Sequence, residues 1–108
     1  MLAIELGLST QRFLKVLASE TRQRLLAVIA CGGELTVGEV AAQCRLGQST
    51  VSEHLAMLRD AGLLTAHRDG RQVTYRVDVE GVRAELAALQ TALEKCCTAP
   101  TSQLKTST

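Results

Sequence analysis

The sequence predicts a mainly α-helical domain that carries one β-hairpin. Apolar residues recur at helical spacing on both sides of a short alternating segment, and glycines separate the segments. Only 2% of the 108 residues are aromatic, so the core has to be built from Leu, Val, Ile and Ala. We expect one domain at residues 1–98 and a flexible polar tail at 99–108.

Two helices are predicted in the first third of the chain. Residues 2–17 carry an apolar stripe at helical spacing, with an interruption expected near Gly7. A second stripe runs over 25–29, and Ser19 or Thr21 is its expected N-cap. We expect this helix to stop at the glycines 32–33, because glycine readily adopts the left-handed conformation of helix ends.

A pair of short helices joined by a tight turn is predicted next. Thr36 and Glu39 form a capping-box pattern, which predicts a helix that runs to about Cys44. Residues 45–47 make the connection, and a second helix is expected at 48–61. The second helix is anchored by Val51, Leu55 and Leu58 at helical spacing. Such a pair is a helix-turn-helix.

The alternating segment predicts a hairpin with strands at 63–67 and 72–77. The four residues between the strands contain an Asp-Gly pair, which is a turn signal. A hairpin that directly follows a helix-turn-helix is the wing of a winged helix-turn-helix. The sequence therefore predicts this fold class.

A last helix is predicted from Asp78, its expected cap, to a stop before Pro100. Its apolar positions advance in alternating steps of four and three residues, as in a heptad seam: Val82, Leu86, Leu89, Leu93 and Cys96. The two ends of the chain together hold more apolar surface than a small monomer easily buries. We therefore expect a homodimer formed through the first and last helices.

Polar and basic residues on the helix-turn-helix and the hairpin predict contacts with DNA. The net charge is only +1, so a nucleic-acid surface has to be local. Side chains that can contact bases or phosphates occupy the start of the second helix of the pair: Gln48, Ser49, Thr50, Ser52, Glu53 and His54. On the hairpin, Arg68 and Arg71 are expected to contact phosphates, beside His67 and Arg76.

Residues 14–77 resemble the ArsR/SmtB family of winged-helix repressors, most specifically in QSTVSEHLAMLRDAGLL followed by RDGRQVTYRV. The resemblance implies a dimer built from the first and last helices. It also implies repression of a metal- or metalloid-resistance operon and release of DNA when a ligand binds. The expected partners are therefore operator double-stranded DNA and a second copy of the chain.

Two ligand sites known in that family are not supported by these residues. One type of member binds its ligand through thiols early in the first helix of the pair, where this chain has Thr36 and Gly38. Another type uses Asp and His on the last helix, where this chain has Asp78 but no His after His67. The two histidines, His54 and His67, are interpreted as DNA-side residues.

The adjacent thiols Cys96 and Cys97 remain as the candidate metal site. Soft trivalent metalloids prefer thiolates, and similar C-terminal pairs occur in family members that sense arsenite, methylarsenite or antimonite. The expected effector is thus a trivalent arsenic or antimony species. Two sulfurs suit a methylated species, whereas an inorganic centre needs a third sulfur from elsewhere, for example across the dimer, since no cysteine follows Cys97.

Other interpretations of the cysteines remain possible from the sequence. The same pair could sense redox state or persulfide, with Cys31 as a further partner, or the cysteines could have no sensing role. Cys44 lies on an inward stripe and is interpreted as a core residue. An enzyme is not expected, because no catalytic base or Cys-x-x-Cys pattern is present.

The expected location is the cytoplasm. Residues 1–8 lack the basic start and cleavage site of a secretory signal, and no apolar run is long enough to span a bilayer. No membrane partner is expected. Thiols stay reduced in the cytosol, which keeps them available for a soft ligand.

Overall fold

The computed structural model describes residues 6–96, and the side chains of 6–95. Within this range the chain forms five helices and three strands. Their order is α1 (Leu8–Leu17), α2 (Glu20–Gly32), β1 (Leu35–Thr36), α3 (Val37–Cys44), α4 (Gln48–Asp60), β2 (Leu64–Asp69), β3 (Gln72–Val77) and α5 (Val79–Cys96). The prediction of a mainly α fold with a hairpin wing is confirmed. The predicted tail at 99–108 lies outside the described residues.

Local side-chain contacts explain where the helices of the first half begin and end. Ser19, rather than Thr21, caps α2, because its hydroxyl accepts a hydrogen bond from the Arg22 backbone N–H at 3.2 Å. The capping box of α3 is complete, with bonds of 3.1 and 2.8 Å between Thr36 and Glu39. Gly33 ends α2 with φ +86°, as expected for glycine at a helix end.

The first helix is shorter than the predicted segment at 2–17. It begins at Leu8, and Gly7 is its N-cap, so Leu6 is not helical. Residues 1–5 lie outside the described part of the chain. Within α1, Phe13 and Val16 are buried and pack into the core.

The sheet has a strand that the sequence did not predict. β1 has only two residues and pairs antiparallel with β3, so the sheet order is β1-β3-β2. β2 extends to Asp69, which pairs with Gln72, and only Gly70 and Arg71 form the loop. The predicted four-residue turn is therefore wrong. Gly70, with φ +66°, allows a two-residue hairpin turn, so the ladder continues to the tip.

The core lies between α2, the helix pair and the base of the hairpin. Its fully buried residues are Phe13, Leu25, Ile29, Val40, Val51, Leu55, Leu58, Leu63 and Leu64. Tyr75 of the central strand closes one side and is 6% exposed. Aliphatic side chains thus form most of the core, as the composition requires.

The last helix packs against the first. Glu85 of α5 accepts a hydrogen bond from the Thr10 hydroxyl at 3.0 Å and another from Ser9. Asp78 caps α5, as predicted, by accepting from the Gly81 N–H at 2.9 Å. None of the helices within residues 6–96 is long and apolar enough to cross a lipid bilayer.

Candidate nucleic-acid interface

The start of α4 presents a polar face to solvent. Val51, Leu55 and Leu58 are fully buried and fix the rotation of the helix against the core. The side chains of the other face are exposed over the first six residues: Gln48, Ser49, Thr50, Ser52 and Glu53. The structure therefore gathers these five predicted residues on one accessible surface.

His54 is placed differently from its neighbours on α4. It is half-buried, and its Nδ1 lies 3.3 Å from Nη1 of Arg22 on α2. The same guanidinium nitrogen lies 3.3 Å from Sδ of Met57, one turn further along α4. Arg22 thus links α2 to the middle of α4, a contact between distant residues that no local sequence pattern could have predicted.

A tight turn sets the angle at which α4 leaves α3. Arg45 adopts the left-handed conformation with φ +57°, and the Leu46 N–H donates to the Ala41 carbonyl at 3.1 Å. Gly47 is the N-cap of α4 and has no side chain that could cap it. The first backbone N–H groups of α4 are therefore not capped by a side chain, unlike those of α2 and α3. Free N–H groups at a helix N-terminus favour the binding of an anion.

The wing, which we define as the hairpin β2–β3, carries arginines on exposed positions. Arg68, Arg71 and Arg76 are all exposed, and Arg71 lies at the tip beside Gly70. Within residues 6–95, none of the three forms an ion pair. The wing therefore offers positive charge to an external anion such as a phosphate.

The positions that lack the family's thiols have structural roles here. Thr36 caps α3. Gly38 lies beside Gln48, because a β-carbon at Gly38 would stand 3.3 Å from the Gln48 Nε2 atom. The first of these positions thus stabilises the start of α3, and the second faces the start of α4.

Cys31 and Cys44 lie in different surroundings. Cys44 is buried at 8% exposure among core residues, as predicted, and Cys31 is exposed at the end of α2. Cys96 is the last residue of α5, while its side chain and the whole of Cys97 lie outside the described residues. Within the described side chains, no three His, Cys, Asp or Glu residues come together as a metal site.

Residues 17–67 match the model of a family described as a helix-turn-helix domain. The matched range begins at the end of α1 and reaches into β2, so it contains the whole of α2, α3 and α4. It therefore includes every α4 residue of the exposed polar face.

Curated relatives match over a similar or longer range. The arsenic resistance transcriptional regulator ArsR1 of Pseudomonas putida is 46% identical over 66 residues, which are 61% of this chain and 52% of that protein. A probable mercury resistance operon repressor of Streptomyces lividans is 38% identical over 96 residues, 83% of this chain and 76% of that protein. The chain thus spans about half the length of the arsenic regulator.

A solved structure shares the architecture. It is the homodimeric winged helix-turn-helix DNA-binding domain of a possible ArsR-family transcriptional regulator from Mycobacterium bovis. The two chains are 29% identical with a TM-score of 0.64, and the match covers 80% of each.

Proposed function

Since the chain belongs to the ArsR family of winged-helix transcriptional regulators, we propose that it is a repressor that binds operator double-stranded DNA as a homodimer. The observation that carries this proposal is the exposed polar face at the start of α4, next to a wing whose arginines form no ion pair within the described residues. Under this proposal α4 is the recognition helix, which lies in the major groove.

The proposed contacts divide into base contacts and backbone contacts. On α4, Gln48 can bond adenine through both amide atoms, Glu53 can accept from cytosine, and Ser49, Thr50 and Ser52 can contact bases or phosphates. His54 can contribute only the ring edge that does not face Arg22. Arg68 and Arg71 would contact phosphates and make the affinity depend on salt.

The proposed dimer uses α1 and α5. Leu86 and Leu93 of the heptad seam are 51% and 46% exposed in the single chain. Contact between this apolar stripe and water is unfavourable, and a partner surface would remove it. The Mycobacterium bovis domain with this architecture is homodimeric. We propose the same for this chain, with residues 1–98 forming the DNA-binding and dimerisation domain.

The proposed effector is a trivalent arsenic or antimony species bound by Cys96 and Cys97. The support is their adjacency in the sequence, where two thiols can hold one soft ion, and the end of α5 at Cys96. Two curated relatives are named for resistance to arsenic and to mercury, both thiophilic elements. Two sulfurs suffice for a methylated arsenical, and a third donor would be needed for arsenite or antimonite.

A ligand bound at the end of α5 can change the DNA-binding surface through the proposed dimer interface. Binding there would shift α5 against its partner in the proposed dimer, and the separation of the two recognition helices would change. These helices have to match half-sites about one helical turn of DNA apart, roughly 34 Å. A small rotation therefore lowers operator affinity and releases the repressor.

Cysteine variants test this mechanism. Cys96→Ser and Cys97→Ser should bind operator DNA like the wild type but should not be released by arsenite, methylarsenite or antimonite. Cys31→Ser is the matched control and should be released normally. The measurement is fluorescence anisotropy of labelled operator DNA titrated with each metalloid. Normal release of both Cys96→Ser and Cys97→Ser would rule out the proposed site.

A thiol redox or persulfide sensor is the alternative, and the exposed thiol of Cys31 is the observation that favours it. In that case peroxide or persulfide, rather than a metalloid, would release the DNA. Release would then be blocked in the single variant Cys31→Ser, and also in the single variant Cys96→Ser or Cys97→Ser. The same titration, repeated with peroxide and with persulfide, separates the two functions.

Both functions are regulatory rather than enzymatic, in keeping with a family of transcriptional regulators. Both functions also require the protein to be in the cytoplasm, where operator DNA is accessible and thiols are reduced.

A further inference from the structure

A basic cleft lies between α1 and α4. Its lining side chains are Arg12, Lys15, Val16, Arg22, Met57 and Asp60. The cleft has a volume of about 300 Å³, well above the roughly 10–15 Å³ that a cavity needs to hold one water molecule. It can therefore admit a small charged group such as a phosphate. We call it the α1–α4 cleft.

The charge in the α1–α4 cleft is unbalanced. Three of its side chains are cationic and only Asp60 is anionic. The Asp60 carboxylate is already paired with Arg59, 3.1 Å away on α4. The whole chain has nearly equal numbers of basic and acidic residues, so this local excess of positive charge is a property of the cleft.

Hydrogen bonds to backbone carbonyls fix both guanidinium groups of the cleft. Arg22 donates through Nε to the Val16 carbonyl at 2.9 Å, and Arg12 donates to the Asp60 carbonyl at 3.4 Å. The Lys15 ammonium has no hydrogen bond or ion pair with the described residues. The cleft therefore combines two oriented cations with one ammonium group whose donors are available to a ligand.

The position of the cleft points to DNA as the source of the ligand. Arg22 contacts His54 and Met57, so the cleft flanks the middle and end of α4. The major groove is about 12 Å wide, and an α-helix with its side chains is about 10–12 Å in diameter. A recognition helix in the groove thus has its flanks close to the phosphates of the groove walls.

We propose that the α1–α4 cleft binds one phosphate of the DNA backbone beside the recognition helix, with the Lys15 ammonium as its charged contact. This inference rests on the proposed function of operator binding. It adds a DNA-backbone contact from α1, an element separate from the wing. Each protomer would therefore hold the DNA from the wing and from the α1–α4 cleft.

The test is the salt dependence of operator binding by Lys15→Gln. Removing one phosphate contact per chain lowers the slope of log affinity against log salt by about 0.9 per chain. When salt is raised from 50 to 200 mM, the affinity of both proteins falls. The factor by which it falls should be smaller for the variant by about 3.5-fold per chain. Lys15→Arg should keep the wild-type slope, because it keeps the charge.

Arg83→Gln is the charge-matched control, since Arg83 is an exposed residue of α5 that pairs with Glu80. Its slope should equal that of the wild type. Equal slopes for Lys15→Gln and wild type would overturn the proposal, and so would equal losses of slope in Lys15→Gln and Arg83→Gln. If the wild-type protein bound no operator DNA, the proposed function itself would have failed.

A second arm distinguishes DNA from a free anion. Inorganic phosphate is titrated into the wild-type protein at constant ionic strength while the amide resonances of α1 and α4 are followed by NMR. Weak, unsaturated shifts together with the Lys15-dependent salt slope support a DNA phosphate. Saturable binding that Lys15→Gln abolishes, with an unchanged salt slope, would assign the cleft to a small anion instead and overturn the proposal.

Discussion

Gln48 and Arg71 have different surroundings, and these predict different effects on DNA binding. Gln48 is the first residue of α4, whereas Arg71 lies at the tip of the wing. A bidentate contact from Gln48 to adenine would be worth about 1–3 kcal/mol of discrimination. A phosphate contact from Arg71 would contribute to every DNA sequence alike.

We therefore expect Gln48→Ala to lower discrimination at one base pair, and Arg71→Ala to weaken binding to all sequences with a smaller salt slope. Competition binding with single-base operator variants measures the first effect, and a salt titration measures the second. An unchanged salt slope in Arg71→Ala would remove Arg71 from the backbone contacts. Unchanged base preference in Gln48→Ala would remove Gln48 from the base contacts.

Residue positions on α4 were predictable from the sequence because its three anchors are regularly spaced. Val51, Leu55 and Leu58 define the buried face, and Ser52 and Glu53 between the first two anchors are exposed as a consequence. The link between His54 and Arg22 was not predictable, because it joins residues 32 positions apart. Such contacts depend on how the helices pack.

At the scale of elements, strong local signals predicted the helices well and the strands less well. The capping box at Thr36 and the glycine at 33 act within one helical turn, so they mark α3 and the end of α2 reliably. β1 has two residues and exists only through its pairing with Tyr75 and Thr74 of β3. A strand of that length has no alternating pattern to recognise.

Two helical glycines predict opposite effects of substitution by alanine. At Gly38 of α3, a β-carbon would lie 3.3 Å from the Gln48 side-chain amide, which is exposed and can rotate away. At Gly81 of α5, it would collide with the Gly62 carbonyl oxygen and stand 2.8 Å from Oδ2 of Asp78. A backbone carbonyl cannot move in the same way.

We expect Gly38→Ala to raise the free energy of unfolding by about 0.5–1 kcal/mol, the usual gain of alanine over glycine in a helix. Gly81→Ala should lower it by about 1–3 kcal/mol, because overpacking and displacement of the Asp78 cap outweigh that gain. Urea denaturation followed by circular dichroism measures both. A loss of stability in Gly38→Ala would show that the Gln48 amide is held in place.

At the scale of the whole molecule, the shape of the chain supports association. The structure measures 54 × 27 × 22 Å and has a radius of gyration of 17.2 Å, compared with about 13 Å for a compact domain of 100 residues. α5, with 18 residues, is the longest helix among the described residues and has half-exposed leucines on its seam. A second copy packed along this seam would give a more compact assembly.

The seam also predicts the consequence of placing a charge on it. Leu86 is 51% exposed in the single chain and would be covered in the proposed dimer. Fully burying a leucine contributes about 1.5–3 kcal/mol, so covering the exposed half of Leu86 contributes about half of that, and a symmetric dimer contains the residue twice. Leu86→Glu should therefore raise the dimer dissociation constant by roughly tenfold to a hundredfold.

Sedimentation velocity over a range of concentrations measures this change, and circular dichroism verifies that the variant stays helical. Ala42→Glu introduces the same charge on an exposed position of α3, away from the seam, and should sediment like the wild type. A monomeric Leu86→Glu should also lose most of its operator affinity, because one recognition helix cannot reach two half-sites. If Leu86→Glu remained dimeric like Ala42→Glu, the chain would associate through another surface, and a ligand at Cys96 and Cys97 would have no interface of α5 to change.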